Sequence, residues 1–195
     1  MSRGAGGADM VPEPVAGHRW IRTLELEDLQ DTAALARVLA QSLRAGDLLI
    51  LTGGLGAGKT TFTQALADGL RVEGQISSPT FVLSRVHHGE VVDLVHVDAY
   101  RTDAAGFEDL DIAATVEESV TVVEWGRRLA EHALVGEEGS WVDLELIAPE
   151  AAAEGGESAE PQIITDFSET DQDLLGGARR AVLRGYGPRW STPPV

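Results

Sequence analysis

Hydrophobic positions recur along the chain with two different periods, and each marks its own kind of element. Between Asp28 and Leu43, residues Leu29, Ala33, Ala36, Leu39, Ala40 and Leu43 recur at helical spacing, the pattern of one buried helix face. Asp47-Leu48-Leu49-Ile50-Leu51-Thr52 is a short apolar run, the pattern of a parallel strand covered on both faces. A Gly-rich loop follows, then a helical stretch from about Lys59 to Leu70. Phe81 to Val86 and Val91 to Val97 read as strands joined by His87-His88-Gly89-Glu90, a hairpin with a short Gly-containing loop. Val120 to Glu124 repeats the buried-strand pattern, and Trp141 to Ile147 alternates as a half-exposed strand should. Trp20 to Leu24 and Ala178 to Tyr186 predict two further strands, and Phe107 to Val116 and Gly126 to His132 two short helices. Strands alternating with helices predict an α/β fold with a central, mainly parallel sheet flanked by helices, plus an antiparallel hairpin.

Two stretches break the pattern. Residues 1–17 are rich in Gly, Ala and Pro without periodicity and predict a disordered tail. The stretch from Glu150 to Asp173 holds eight acidic residues and no basic one, about half of the net charge of −17. It reads as a solvated, flexible insertion at 150–175 between the last two strands. The expected organisation is therefore one domain over 18–190 interrupted by that insertion, with 191–195 as a second tail. Its 195 residues suffice for a sizeable core without staples.

Composition narrows the function. There is no cysteine, which excludes thiol catalysis and Cys-ligated zinc. The strong negative charge argues against a protein whose main task is neutralising nucleic-acid phosphates. No apolar run approaches the ~18 residues of a membrane helix. The opening residues carry no apolar leader segment, so the expected location is the cytoplasm, with no membrane partner. The 15 basic residues comprise fourteen arginines and a single lysine, Lys59. Codon bias in a GC-rich genome accounts for most of that skew. The exception still draws attention, because Lys is a slim point charge where Arg is a wide planar fork.

Lys59 sits in Gly53-Gly54-Leu55-Gly56-Ala57-Gly58-Lys59-Thr60, which fits G-x-x-x-x-G-K-[ST], the phosphate-binding P-loop. Glycines allow the backbone to wrap an anion closely with its N–H groups turned inward. The following helix presents its positive dipole end to the same place. Lys59 then reaches the β- and γ-phosphates, and Thr60 offers a hydroxyl to Mg²⁺. A buried strand before the loop and a helix after it supply the context this motif needs. The fold class is thus a P-loop NTPase. Without any Asn the chain cannot carry the Asn-Lys-x-Asp guanine motif, so ATP is the expected nucleotide.

Ligands of open α/β sheets sit beyond the carboxyl ends of the strands. Asp98, after Leu94-Val95-His96-Val97, and Glu124, after Val120 to Val123, fall at such ends. Either can bind Mg²⁺, directly or through water, or orient an attacking water.

In order and spacing, Gly53 to Thr61, Ser78-Pro79-Thr80-Phe81, His96-Val97-Asp98-Ala99-Tyr100-Arg101 and Glu124-Trp125 resemble the TsaE family, bacterial P-loop ATPases of tRNA threonylcarbamoyladenosine biosynthesis. The resemblance runs from about Trp20 to Ile147 and resumes at Arg179 to Trp190. It implies that Thr80 lies in a switch-like loop sensing the γ-phosphate and that Asp98 is the Walker-B-type carboxylate needed for hydrolysis. It also implies that Glu124 helps hold Mg²⁺ beside Thr60, and that Trp125 lies close to the nucleotide. Tyr100 and Arg101 would shape the same region, and the segment around Thr32 would approach the adenine. The implied activity is slow ATP hydrolysis within the complex of TsaB and TsaD, which transfers the threonylcarbamoyl group to the tRNA adenosine next to the anticodon. Contact with tRNA is then indirect. The chain departs from the family pattern at Ala99, where a larger apolar residue is usual, and in the acidic insertion.

Two rival functions share the P-loop: a kinase for a small metabolite, and a nucleotide-gated adaptor that hydrolyses nothing. The kinase needs an acceptor pocket and an Arg-rich lid, and no Arg cluster follows the P-loop helix. Among weaker features, His87 and His88 read as exposed hairpin residues, and His96 as a core histidine or a group near the site. Arg179, Arg180 and Arg184 read as the solvated face of a late strand, and Trp20, Trp141 and Trp190 as packing residues. Arg127 and Arg128 as an internal arginine finger is the weaker of their readings.

Overall fold

A computed structural model describes residues 11–74, 76–77, 83–110, 112–136, 138–148 and 177–194. The strands are β1 (Trp20–Leu26), β2 (Leu48–Thr52), β3 (Ser84–His87), β4 (Asp93–Asp98), β5 (Ser119–Glu124), β6 (Trp141–Ile147) and β7 (Arg179–Tyr186). They form one sheet in the order β1-β7-β6-β2-β5-β4-β3. β2 runs parallel to β5 and β6, and β4 parallel to β5. The antiparallel pairs β3–β4, β6–β7 and β1–β7 extend this parallel centre on both sides. The helices are α1 (Leu29–Ser42), α2 (Lys59–Leu70), α3 (Ala104–Glu108), α4 (Ala113–Val116) and α5 (Ala130–Leu134). The structure thus bears out the α/β P-loop architecture.

The period of two along each strand divides the core into two layers. Leu49, Leu51, Leu94, Val120, Val122, Leu144 and Leu183 pack with Leu35, Leu39, Phe62 and Leu66 from α1 and α2. Leu48, Ile50, Val95, Val97 and Val123 pack with Phe107, Ile112 and Ala130 on the other face. α1 begins where expected because the Asp28 carboxylate accepts the N–H groups of Gln30 and Asp31, a cap worth ~1 kcal/mol. α1 and α2 approach closely because residue 69 is Gly; a Cβ there would lie 2.7 Å from that of Ala40.

Several expectations need correction. β3 is described only from Ser84, and the hairpin connection runs from His88 to Val92, since His87 belongs to β3 and is buried. The 107–116 stretch is two short helices rather than one, with Asp103 capping α3. α5 starts at Ala130 rather than Gly126 because Trp125 and Arg128 adopt left-handed backbone (φ 62° and 69°), which no helix can continue through. β6 is not half-exposed: Asp143 is 2% exposed, because its charge is met by arginines instead of water. The three packing tryptophans are as expected. Trp20 donates its indole N–H to the Trp190 carbonyl, and Trp141 stacks on Tyr186 at 4.4 Å.

Residues 11–17 of the expected tail carry no helix or strand yet are tied down. The carbonyls of Pro12, Glu13, Pro14 and Val15 accept hydrogen bonds from Arg127, Arg128 and Tyr186. Residues 1–10 and the acidic 150–175 segment lie outside the described residues. Among the described residues no helix is long and apolar enough to cross a membrane.

Candidate active site

β2 delivers the chain to the loop Gly53–Gly58, and α2 leaves it at Lys59. Gly53, Gly56 and Gly58 hold positive φ values of 146°, 71° and 90°, conformations that side chains resist. Packing adds a second constraint. A Cβ on Gly53 would run into the Leu146 carbonyl of β6, and one on Gly58 into the Arg179 guanidinium of β7. Leu55 projects into solvent, Ala57 is buried beneath the loop, and Gly54 is partly exposed. Thr60 and Thr61 form the first turn of α2, both partly exposed.

Lys59 is buried, and its ammonium donates to the carbonyls of Gly53 (3.0 Å) and Gly54 (2.8 Å). It also lies 3.8 Å from the centre of the Trp125 ring, a cation–π contact. A compact ammonium makes all three contacts in this space, which accounts for the one Lys in an Arg-using chain. Tyr100 packs on the far side of the site with its ring 4.9 Å from that of Trp125.

Asp98 and Glu124 are paired in register at the ends of β4 and β5, and both are buried. They share a sheet face with Leu94, Val120 and Val122, which turns them toward α2. The Thr60 hydroxyl lies 3.1 and 3.2 Å from the two Glu124 oxygens. His96, two residues before Asp98, donates from Nε2 to Glu124 Oε1 at 2.8 Å. Asp98 accepts the Tyr100 N–H at 3.0 Å, which fixes the turn after β4. No group of three or more His, Cys, Asp or Glu side chains of metal-holding geometry occurs among the described residues.

The other residues singled out from the sequence take different places. Thr80, with the rest of Ser78-Pro79-Thr80-Phe81, lies outside the described residues. Thr32 is buried in α1, and its hydroxyl donates to the Asp28 carbonyl. Arg127 is no finger. It donates to Asp143 (3.1 and 2.7 Å), Glu145 (2.9 Å) and the Pro12 carbonyl (2.7 Å). Arg179 and Arg184 do not face solvent either. Arg179 donates to the Ala57 carbonyl of the P-loop (3.2 Å), and Arg184 to Asp143 and Glu145 (3.1 and 2.9 Å).

The Arg127–Asp143–Glu145–Arg184 cluster braces the site from below, since Thr52, the last residue before the P-loop, also donates to Asp143 (3.0 Å). Burial alone would raise the Glu145 pKa, but the two guanidiniums override it and hold the carboxyl below its ordinary range. Burial likewise works against the Arg127 charge, and its carboxylate partners more than restore it.

Among the described residues, two clefts bear on where a ligand could sit. One of about 300 Å³ flanks the P-loop and is lined by Val11, Gly53, Leu55, Glu145, Ile147 and Ala148. A larger one of about 780 Å³ lies at the opposite end of β6, between Trp141, Tyr186, Glu131 and Val15. None of the motif residues line the larger cleft, so we assign the chemistry to the P-loop end.

The family model for threonylcarbamoyl adenosine biosynthesis protein TsaE matches residues 26–152. A Streptomyces coelicolor relative, named tRNA threonylcarbamoyladenosine biosynthesis protein TsaE, is 39% identical over 165 residues, covering 83% of this chain and 95% of the relative. A Mycobacterium leprae protein of the same name is 42% identical over 115 residues, 54% of this chain and 71% of that one. The crystal structure of Bacillus subtilis YdiB superposes with a TM-score of 0.60 at 22% identity, covering 94% of this chain and 92% of that one, which supports the fold. From the family match and these relatives, the chain belongs to the TsaE family.

Proposed function

We propose that this chain binds ATP with Mg²⁺ at the P-loop and hydrolyses it slowly, in service of the threonylcarbamoyl modification of tRNA. Its family membership supports a place in that modification. The single observation that carries the nucleotide reading is the meeting of Thr60 with Glu124 beside Lys59, which assembles a phosphate cradle, a cation and a hard oxygen pair in one place. In this reading the loop N–H groups and Lys59 bind the phosphates, with Gly53, Gly54, Leu55, Gly56, Ala57, Gly58, Thr60 and Thr61 forming the wrap. Thr60 and Glu124 would hold Mg²⁺ directly, with Asp98 beside them. The ion, when bound, neutralises charge on the β- and γ-oxygens. Asp98 positions the attacking water, and Thr80 senses the γ-phosphate. Trp125 and Tyr100 wall the site against bulk water.

Turnover should be slow for the isolated chain. Arg127 is committed to Asp143 and Glu145, which removes one candidate for the arginine that speeds phosphoryl transfer in completed sites. We place its work in the cytoplasm with TsaB and TsaD, which carry the tRNA, so that this acidic chain meets the RNA only through them. The test is phosphate release from Mg-ATP by the purified chain, alone and with TsaB and TsaD added. Slow release that rises with both partners supports the proposal. Transfer of phosphate to a small metabolite instead would favour a kinase. Binding without any release would favour a nucleotide-gated adaptor.

A further inference from the structure

We infer that His96 is a positioning residue for the metal-binding carboxylate: it holds Glu124 in the one orientation that can serve Mg²⁺ together with Thr60. The inference rests on the reading of Glu124 and Thr60 as the Mg²⁺ ligands.

The observations begin with the sheet. β4 and β5 run parallel, and His96, Asp98, Val122 and Glu124 project to the same face, toward α2. His96 is fully buried there, between positions otherwise filled by Leu94, Val120 and Val122. Its Nε2 lies 2.8 Å from Glu124 Oε1, the same oxygen that lies 3.1 Å from the Thr60 hydroxyl. Glu124 Oε1 therefore takes donors from two elements, a neighbouring strand and the P-loop helix. A strand-terminal Glu has three side-chain torsions to lose, and two fixed donors remove that freedom before any ion arrives.

Packing alone does not explain the residue. The other ring nitrogen, Nδ1, is buried and has no hydrogen-bond partner among the described residues. The bond to the Glu124 carboxylate is stronger than a neutral one, and leaving the second ring nitrogen buried and unpaired offsets it. A Leu or Val would fill the layer but leave the buried Glu124 carboxylate without this donor, so the ring serves the carboxylate rather than the core. The partnered nitrogen is the one aimed at Glu124, so the proton sits on Nε2 and is donated to the carboxylate. The ring is accordingly spent on orienting Glu124. It does not touch the reacting atoms.

The test separates metal-dependent from metal-independent nucleotide binding. ATP is titrated into the full chain with Mg²⁺ and with EDTA, for wild type, His96→Met, His96→Gln and Glu124→Gln. His96→Met fills the volume without a donor and should weaken binding in Mg²⁺ about tenfold, the lower end of such outer-shell effects, with EDTA values unchanged. His96→Gln restores an N–H donor and should recover most of the loss. A merely structural role would shift both conditions alike and would not be rescued. If Glu124→Gln loses the Mg²⁺ effect while His96→Met keeps it in full, the His96 role is overturned and the site reading stands. If wild type shows no Mg²⁺ effect, the metal reading falls and takes this inference with it. Nitrogen-15 NMR of the wild-type histidines provides a readout independent of any variant's folding. A proton on Nε2 with a resonance that moves on Mg-ATP addition supports the inference, and a proton on Nδ1 alone overturns it.

Discussion

Thr60 and Glu124 stand 64 positions apart in sequence, yet the hydroxyl of one lies 3.1 and 3.2 Å from the two carboxylate oxygens of the other. The contact joins the first turn of α2 to the end of β5. It requires β5 to lie next to β2, because only then does the strand end point at the helix that β2 launches. Thr60→Val keeps the shape and removes the hydroxyl. Mg²⁺-dependent phosphate release should fall about tenfold or more, the scale of one lost charge-assisted hydrogen bond of ~1.5 kcal/mol. Steady-state phosphate assays at varied Mg²⁺ check it, and undiminished release would remove Thr60 from the metal site.

Lys59 rests against the Trp125 ring at 3.8 Å. Phosphates that draw the ammonium toward them must change the environment of that indole. The other three tryptophans, Trp20, Trp141 and Trp190, are all buried in packing roles. Adding ATP should therefore change the intrinsic fluorescence, and Trp125→Phe should abolish the change while the protein stays folded. A signal that survives in Trp125→Phe would contradict this arrangement.

Within the buried arginine–carboxylate cluster, Glu145 contributes to acid stability. The folded chain holds the Glu145 pKa below its ordinary value of 4.5, so the group contributes stability above about that pH. The contribution is lost as pH falls through the lower folded value. Glu145→Gln should flatten the acid limb of stability against pH, read from urea midpoints at pH 3 to 7. Arg127→Met leaves Asp143 and Glu145 short of one cation and should destabilise the chain by ~3 kcal/mol.

At the alkaline end Tyr186 is the reporter. Burial, with the Asp143 charge behind it, pushes its phenol from 10.0 up to about 12. The unfolded chain thus releases the proton first, and stability falls as pH rises from 10 toward 12. The phenol also donates to the Val15 carbonyl at 2.7 Å, so its ionisation should loosen residues 11–17. Ultraviolet titration should show a late phenolate step that is absent in Tyr186→Phe.

Much of this was legible because it is local. The P-loop lies within eight consecutive residues, and the apolar runs of β2, β4 and β5 announce strands covered on both faces. Asp98 and Glu124 could be found because strand ends in such sheets face the ligand. What stayed open, such as the choice between core and site for His96, depends on register. His96 joins the site only because β4 and β5 align Asp98 with Glu124, and no spacing in the sequence states that alignment. β6 misled for a different reason. Asp143 and Glu145 alternate with apolar residues as on a wetted strand, but Arg127 and Arg184 replace the water. Hydropathy cannot separate a solvated charge from one paired in the interior. The late start of α5 was equally hidden, since an arginine at φ 69° has no signature of its own.

Phosphate release from ATP by the purified chain, with Mg²⁺ and with EDTA, for wild type and for Lys59→Ala, is the most direct measurement of the central claim. The site described here predicts slow release that needs Mg²⁺ and vanishes without the Lys59 ammonium. Release that continues in EDTA, or that Lys59→Ala leaves intact, would contradict it.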